Sequence, residues 1–127
     1  MEFYVDIKEK EPRIFTVSLL GPLDTHTHFL LEEKIKPILA KSPRVIILNL
    51  ESLNYISSMG VGVIFKIKKI LNQNKGTLVM INPQPQIKKV FEIIKVLPNE
   101  IFSSIEEADE YLSAIQKDFN KNKTDPL

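Results

Sequence analysis

The chain has 127 residues, of which 43% are hydrophobic and 26% charged, and its formal net charge is +1. This composition predicts one compact domain and excludes the strong positive field that attracts nucleic acid or anionic membrane surfaces. Cysteine is absent, which excludes disulfides, thiolate metal sites and cysteine nucleophiles. The start of the chain lacks a signal-peptide pattern, and no apolar run approaches the ~20 residues that span a bilayer, so we expect a cytoplasmic protein.

Two segments near the start alternate apolar and polar residues with period two, the pattern of half-buried strands. Their apolar positions are Phe3, Val5 and Ile7 in the first segment, and Phe15, Val17 and Leu19 in the second. Glu11-Pro12 interrupts the first pattern, and Gly21-Pro22 ends the second. The two segments therefore predict a β-hairpin.

Helical and strand patterns alternate along the rest of the chain. Apolar residues at helical spacing predict four helices, with inward positions at Leu31, Ile35, Ile38 and Leu39; Val63, Ile64, Ile67, Ile70 and Leu71; Ile87, Val90, Phe91 and Ile94; and Ala108, Leu112 and Ile115. Ser104 and Glu107 form a capping-box pattern before the last of these helices. Short apolar segments predict strands at residues 45–50, 77–81 and 101–102. We expect one domain over residues 1–119 and a polar, disordered tail over residues 120–127.

The order of these elements predicts an α/β fold. Strands that alternate with helices form right-handed crossovers, which favours a mixed, mostly parallel sheet of four or five strands packed against about four helices. The first strand of the hairpin is expected to be antiparallel at one edge. In such sheets the functional loops follow the carboxyl ends of the parallel strands. Here those loops are expected at residues 21–27, 51–60 and 82–85.

Two of these loops carry chemically suggestive residues. One is Gly-Pro-Leu-Asp at residues 21–24, and the other contains Ser58 at the expected start of the second helix. Serine is a common N-cap, and we expect that role for Ser58 from its spacing alone. A phosphate on Ser58 would also be stabilised there, because it would face free N–H groups and the positive end of the helix dipole.

Four segments resemble the STAS family, the anti-sigma factor antagonists. Residues 49–64, Asn-Leu-Glu-Ser-Leu-Asn-Tyr-Ile-Ser-Ser-Met-Gly-Val-Gly-Val-Ile, are similar to a strand followed by Asp-Ser-Ser/Thr-Gly-hydrophobic-Gly. Gly-Pro-Leu-Asp at 21–24 resembles the family's Gly-x-Leu-Asp loop. Residues 81–91 resemble its third-helix entry, and residues 101–108 its last strand and helix. The segments agree in order and spacing over residues 3–115.

This resemblance implies a single STAS-like domain that acts as a phosphorylation switch. An unphosphorylated antagonist binds an anti-sigma factor that is also a serine/threonine kinase, and this frees the sigma factor. The kinase then phosphorylates the antagonist, and a serine phosphatase resets it. The acceptor that the resemblance implies is Ser58, with Asp24 beside it. The implied partner-binding residues are Asp24, Thr25, Ser57, Ser58, Met59 and Gly60.

The chain departs from the family pattern at two positions. Ser57 replaces the family's aspartate, and Met59 replaces its second Ser or Thr. Ser57 is a second candidate acceptor or a solvated loop residue, and we expect the latter. Because of these departures, a second function stays open: a constitutive STAS docking subunit of a transporter ATPase or a signalling scaffold, in which Ser58 is only a cap.

Other chemistries find little support in the sequence. His26 and His28 lie near Asp24, but a metal site would need further ligands that the sequence does not assure. A hydrolase built on Ser58, a histidine and Asp24 would lack the G-x-S-x-G elbow, and the Gly60 region does not match a P-loop. We therefore expect no metal, no cofactor and no catalytic activity.

Several lysines fall on the second and third helices. They predict a solvated face or, alternatively, the rim of a groove for an acidic partner. These residues are Lys66, Lys68, Lys69, Lys88, Lys89 and Lys95.

Overall fold

The computed structural model describes residues 2–96, 110 and 112–117. Four strands are present in this part of the chain: β1 (Tyr4–Glu11), β2 (Ile14–Leu23), β3 (Val45–Ile56) and β4 (Thr77–Ile81). Three helices alternate with them: α1 (His28–Leu39), α2 (Ser58–Gln73) and α3 (Pro85–Val96). Residues 112–117 are also helical, as expected for the last predicted helix. The predicted strand at residues 101–102, the capping box at Ser104 and the tail at residues 120–127 lie outside the described residues.

The strands form one mixed sheet in the order β1-β2-β3-β4. The β1 strand is antiparallel to β2 at one edge, whereas β2–β3 and β3–β4 are parallel pairs. The parallel pairs are those joined through α1 and α2, as crossover connections require. This topology confirms the predicted α/β fold with one antiparallel strand at the edge.

The core lies where the apolar faces of the helices meet the sheet. In β2 the alternation of Phe15, Val17 and Leu19 with polar residues buries all three apolar side chains. The helical stripes are buried as predicted by their spacing, which is that of one helix face. The buried members of these stripes are Leu31, Ile35 and Ile38 in α1, Val63, Ile64, Ile67 and Leu71 in α2, and Ile87 and Val90 in α3.

Two strands extend further than their sequence pattern predicts. β2 continues through Gly21-Pro22 to Leu23, and β3 continues past Leu50 to Ile56. The extensions pair with each other, and register shifts in this stretch accommodate the irregular backbone. Gly21 has a φ of 99° and contacts the N-terminal segment so closely that a Cβ would lie 2.3 Å from the Glu2 carbonyl oxygen. The predicted loop at residues 51–60 is therefore wrong, since most of it is strand and the rest opens α2.

Candidate functional site

The ends of β2 and β3 bring the two candidate loops to one rim of the sheet. Leu23 and Ile56 are register partners at the last positions of these strands. The Ser57 N–H donates to the Leu23 carbonyl oxygen over 2.9 Å, which joins the two loops directly. Asp24 and Ser58 each follow one of these ends. The prediction that they share one rim is confirmed.

The Asp24 side chain organises the turn that leads into α1. Its Oδ1 accepts hydrogen bonds from the backbone N–H groups of His26 at 2.8 Å and Thr27 at 3.1 Å. The Thr27 hydroxyl accepts from the Asp24 N–H at 2.9 Å and donates to the Pro22 carbonyl at 2.7 Å. Aspartate commonly builds turns in this way. Asp24 is half-buried while Thr25 and His26 are exposed, so the turn presents its tip to solvent.

Two adjacent serines at the start of α2 have different surroundings. Ser57 is the N-cap: its Oγ accepts from the Gly60 N–H at 3.2 Å, and its carbonyl accepts from the Val61 N–H at 3.0 Å. Ser57 is only 3% exposed. Ser58 is the first residue of the helix and is half-buried. The position of Ser58 at the start of α2 is as predicted.

Two expectations about these serines are wrong. The cap is Ser57 and not Ser58, because the bond from Ser57 to Leu23 fixes the last extended residue one position earlier than expected. Ser57 is also not a solvated loop residue. Its hydroxyl is buried against the first turn of α2, where it satisfies a backbone N–H that would otherwise lack a partner.

The two glycines of α2 also differ. A Cβ on Gly60 would lie 2.7 Å from the carbonyl oxygen of Leu23 and 2.9 Å from its Cγ. Real Cβ atoms do not approach other atoms so closely, so glycine is required for the helix to start against the end of β2. A Cβ on Gly62 would have no heavy atom within 4 Å, and this residue is exposed. Packing within the described residues does not explain Gly62.

Glutamine side chains complete the exposed edge of β3. The last pair between β3 and β4 is Asn49 with Ile81, so the later residues of β3 extend past the end of β4. Three glutamine side chains in the described residues bond to the backbone of this extension: Gln84 to the Glu51 carbonyl at 2.9 Å, Gln86 to the Asn54 carbonyl at 3.2 Å, and Gln116 to Ile56.

Gln116 links the last helix to the rim through two hydrogen bonds. Its Oε1 accepts from the Ile56 N–H at 3.1 Å, and its Nε2 donates to the Ile56 carbonyl at 3.0 Å. The side chain is 2% exposed. It thus holds the residue just before Ser57 in the way that a neighbouring strand would. Sequence reasoning missed Gln116, because no local pattern marks a partner 60 residues away.

The STAS domain family model matches residues 5–108, most of the chain. The chain belongs to the STAS domain family. An anti-sigma-B factor antagonist of Staphylococcus aureus is 34% identical to it over 83 residues, 65% of this chain and 77% of that protein. The anti-sigma factor antagonist SpoIIAA, solved in its unphosphorylated form, has a TM-score of 0.66 and 26% identity over 73% of this chain and 82% of that one. SpoIIAA of Bacillus, solved in the phosphorylated form, has a TM-score of 0.61 and 26% identity over 72% and 83%.

The STAS resemblance predicted from the four sequence segments is thereby confirmed. The matched residues 5–108 contain both rim loops and all of α2. The rim described above, with Asp24 and Ser58 at the ends of adjacent strands, thus lies within the matched STAS domain.

Of the two histidines near the STAS rim, His28 makes a side-chain contact within the domain. His28 Nδ1 lies 2.8 Å from Glu32 Oε1, and Lys66 Nζ lies 3.5 Å from Glu32 Oε2. The hydrogen bond to His28 lowers the pKa of Glu32 below its usual range, and the charge of Lys66 acts in the same direction. Among the described residues, no three His, Asp or Glu side chains are grouped so that they could hold a metal ion.

The lysines predicted on α2 and α3 are largely exposed, which fits both predicted interpretations, a solvated face and the rim of a groove. Five of them are exposed: Lys66, Lys68, Lys69, Lys88 and Lys89. The side chain of Lys95 lies outside the described residues. In the described ranges, no helix is long and apolar enough to cross a membrane.

Proposed function

We propose that this STAS domain is an anti-sigma factor antagonist that is switched off by phosphorylation of Ser58. In its unmodified form it binds an anti-sigma factor with serine/threonine kinase activity, and this releases a sigma factor in the cytoplasm. It has no catalytic activity of its own. The names of the relatives support this role, and SpoIIAA has been solved in both phosphorylation states. The observation that carries the proposal is the placement of Ser58 at the accessible start of α2, on the same rim as Asp24.

The surroundings of the two serines favour Ser58 over Ser57 as the acceptor. A kinase must reach the hydroxyl, and Ser57 is 3% exposed with its Oγ bonded to the first turn of the helix. Phosphorylation of Ser57 would require this turn to open. Ser58 keeps part of its surface in contact with solvent. We therefore assign the switch to Ser58 alone.

A phosphate at this position is compatible with the fold. It adds about −1.5 to −2 charges and three acceptor oxygens. At the first position of α2, the positive end of the helix dipole stabilises such a charge. A partner that covers Ser58 would have to bury this charge beside the Asp24 carboxylate, at a cost in desolvation and like-charge repulsion. Each ~1.4 kcal/mol of that cost weakens binding tenfold.

The substitution at Ser57 keeps one property of the family's aspartate and removes another. Aspartate and serine are both strong N-caps, so the hydrogen bond to Gly60 is retained. The negative charge of the aspartate is lost. Asp24, which follows β2, still contributes a carboxylate to this rim. The departure from the family pattern therefore leaves the start of α2 intact while making its surroundings less acidic.

The predicted set of partner-binding residues becomes smaller, because some of its members are buried. Of the six that the sequence predicts, Ser57 and Gly60 are buried, so they shape the start of α2 and cannot form much of a contact surface. Asp24, Ser58 and Met59 are half-buried and Thr25 is exposed. We propose these four as the residues that contact the anti-sigma factor.

The test is phosphorylation followed by binding. The chain is incubated with each anti-sigma factor kinase of the source organism and ATP, and the modified serine is located by mass spectrometry. We expect phosphate on Ser58, none in Ser58→Ala, and normal modification in Ser57→Ala. Calorimetry should then show tight binding of the unmodified chain, at least roughly 100-fold weaker binding of the phosphorylated chain, and recovery after treatment with a serine phosphatase.

Circular dichroism provides the control that both forms are folded. Equal affinities of the unmodified and phosphorylated chains for the anti-sigma factor would contradict the switch. That result, or the absence of phosphorylation, would favour the constitutive docking subunit of a transporter ATPase or signalling scaffold.

A further inference from the structure

One face of α2 begins at Ser58 and is open to solvent along the helix. Residues four, seven, eight and eleven positions after a given residue lie on the same side of a helix. Ser58 is half-buried on this side, and the four residues that follow it there are exposed. We call this set the α2 outer face: Ser58, Gly62, Phe65, Lys66 and Lys69.

Gly62 is the residue of this face that the fold does not explain. Glycine inside a helix is less stable than alanine, because it loses more backbone freedom on folding. At Gly60 the close contact with Leu23 accounts for the glycine, but at Gly62 a Cβ would meet no atom of the described residues within 4 Å. A glycine with open space above it permits another chain to lie directly against the helix backbone.

The chemistry around Gly62 defines what could lie there. Phe65 is 41% exposed, although it also makes an edge contact with the Phe91 ring at 6.4 Å between centroids. Three lysines and no aspartate or glutamate occur between Ser58 and Gln73. A groove of about 590 Å³ runs along this helix, and the residues that line it are Phe65, Lys68, Lys69, Asn72 and Gln73. The surface therefore combines an apolar centre with a positive rim.

We propose that the α2 outer face docks an acidic segment of the anti-sigma factor, which contacts the helix backbone at Gly62 and the ring of Phe65 and places its carboxylates near Lys68 and Lys69. The occupant follows from charge complementarity. Lys66 is already paired with Glu32 of α1, but Lys68 and Lys69 are exposed and α2 itself has no acidic residue, so this surface favours an acidic partner. This inference rests on the proposed function and specifies the partner surface that it requires.

The docking surface also gives a physical reason for release by phosphorylation. Ser58 is one helical turn before Gly62, at the end of the face that the acidic segment covers. A phosphate there would repel the carboxylates of the partner, in addition to the repulsion from Asp24. The same electrostatics that bring the partner to the lysines would thus expel it when Ser58 is modified.

The experiment measures the affinity of purified variants for the anti-sigma factor that binds the unmodified chain, by calorimetry at low and high salt. We expect Gly62→Leu to weaken binding roughly 100-fold by steric exclusion, and Lys69→Glu to weaken it about tenfold and reduce its salt dependence. The matched control for the charge change is Lys34→Glu on the exposed side of α1, which should bind like the unmodified chain. Melting temperatures should not fall in Gly62→Leu, since the site is open.

The outcomes separate this inference from the function on which it rests. If no anti-sigma factor binds the unmodified chain, both are overturned. If phosphorylation of Ser58 releases the partner while Gly62→Leu and Lys69→Glu bind normally, the docking surface alone is overturned. It is also overturned if Gly62→Leu abolishes only a concentration-dependent dimer in analytical ultracentrifugation, or only binding to phosphatidylglycerol vesicles. These results would assign the face to a second copy of the chain or to a lipid surface.

Discussion

The two sides of the first turns of α2 carry the same residue types and have opposite environments. On the inner side, Ser57 and Gly60 are buried, cap the helix and touch the end of β2. On the outer side, Ser58 has solvent-accessible surface and Gly62 is fully open. A serine and a glycine can therefore be packed into the fold or lie at its surface. Their position relative to the ends of β2 and β3 decides which.

The geometry of the helix explains this division. Ser57 is fixed inward by its N–H bond to Leu23, and Gly60 follows three positions later on the same side. Ser58 is rotated away by about 100°, and Gly62, four positions after it, shares its direction. The serines and glycines between residues 57 and 62 are thus alternately buried and exposed, because the helical period turns them toward different sides.

We expect the largest effect on stability at Gln116, whose side chain in the last helix bonds to the backbone of Ile56, just before the inner side of α2. Gln116→Leu would leave both the N–H and the carbonyl of Ile56 buried without these bonds. Each unsatisfied group costs about 1–3 kcal/mol. We expect a loss of several kcal/mol in the free energy of unfolding, measured by urea denaturation.

The matched control for this change is Gln73→Leu at the exposed end of α2, which should alter stability by no more than about 0.5 kcal/mol. If the two variants are equally stable, the Gln116 bonds contribute nothing to the rim.

Replacing Gly60 and Gly62 by alanine should change the free energy of unfolding in opposite directions. Gly60→Ala would push a Cβ to 2.7 Å from the Leu23 carbonyl oxygen, and such overpacking typically costs about 1–3 kcal/mol. Gly62→Ala has open space, so it should raise the free energy of unfolding by about 0.5–1 kcal/mol. Thermal denaturation of the two variants beside the unmodified chain measures both effects. A shift of the same sign in both would mean that the inner and outer sides are packed alike.

Much of the fold could be predicted because its signals are local. The stripes of α1 and α2 repeat with the helical period and the apolar residues of β2 with period two, and these patterns identify both the elements and their buried faces. The order of elements then determined that Asp24 and Ser58 meet at one rim. This followed from general rules for parallel sheets.

The details that the sequence did not predict depend on distant residues. The extension of β3 to Ile56 contains exposed polar residues. It persists because β2 pairs with it and because glutamines just before α3, in α3 and in the last helix bond to its edge. The choice between two adjacent serines as the cap depends on the bond from Ser57 to Leu23, 34 positions away by residue number. Local propensity favours either serine equally, so only the tertiary structure distinguishes them.

We expect the smallest changes in stability at Ser57, where two substitutions distinguish the contribution of the cap from that of a negative charge. Ser57→Ala removes the oxygen that accepts from the Gly60 N–H, and loss of an N-cap typically costs about 1 kcal/mol. Ser57→Asp restores an acceptor and adds a negative charge near the positive end of the helix dipole, which is worth about 0.3–1 kcal/mol. We therefore expect the free energy of unfolding to fall in the alanine variant and to equal or exceed that of the unmodified chain in the aspartate variant. Hydrogen exchange at the Gly60 amide should be faster only in Ser57→Ala. Unchanged exchange there would mean that the cap does not hold the inner side, and that the burial of Ser57 follows from its bond to Leu23 alone.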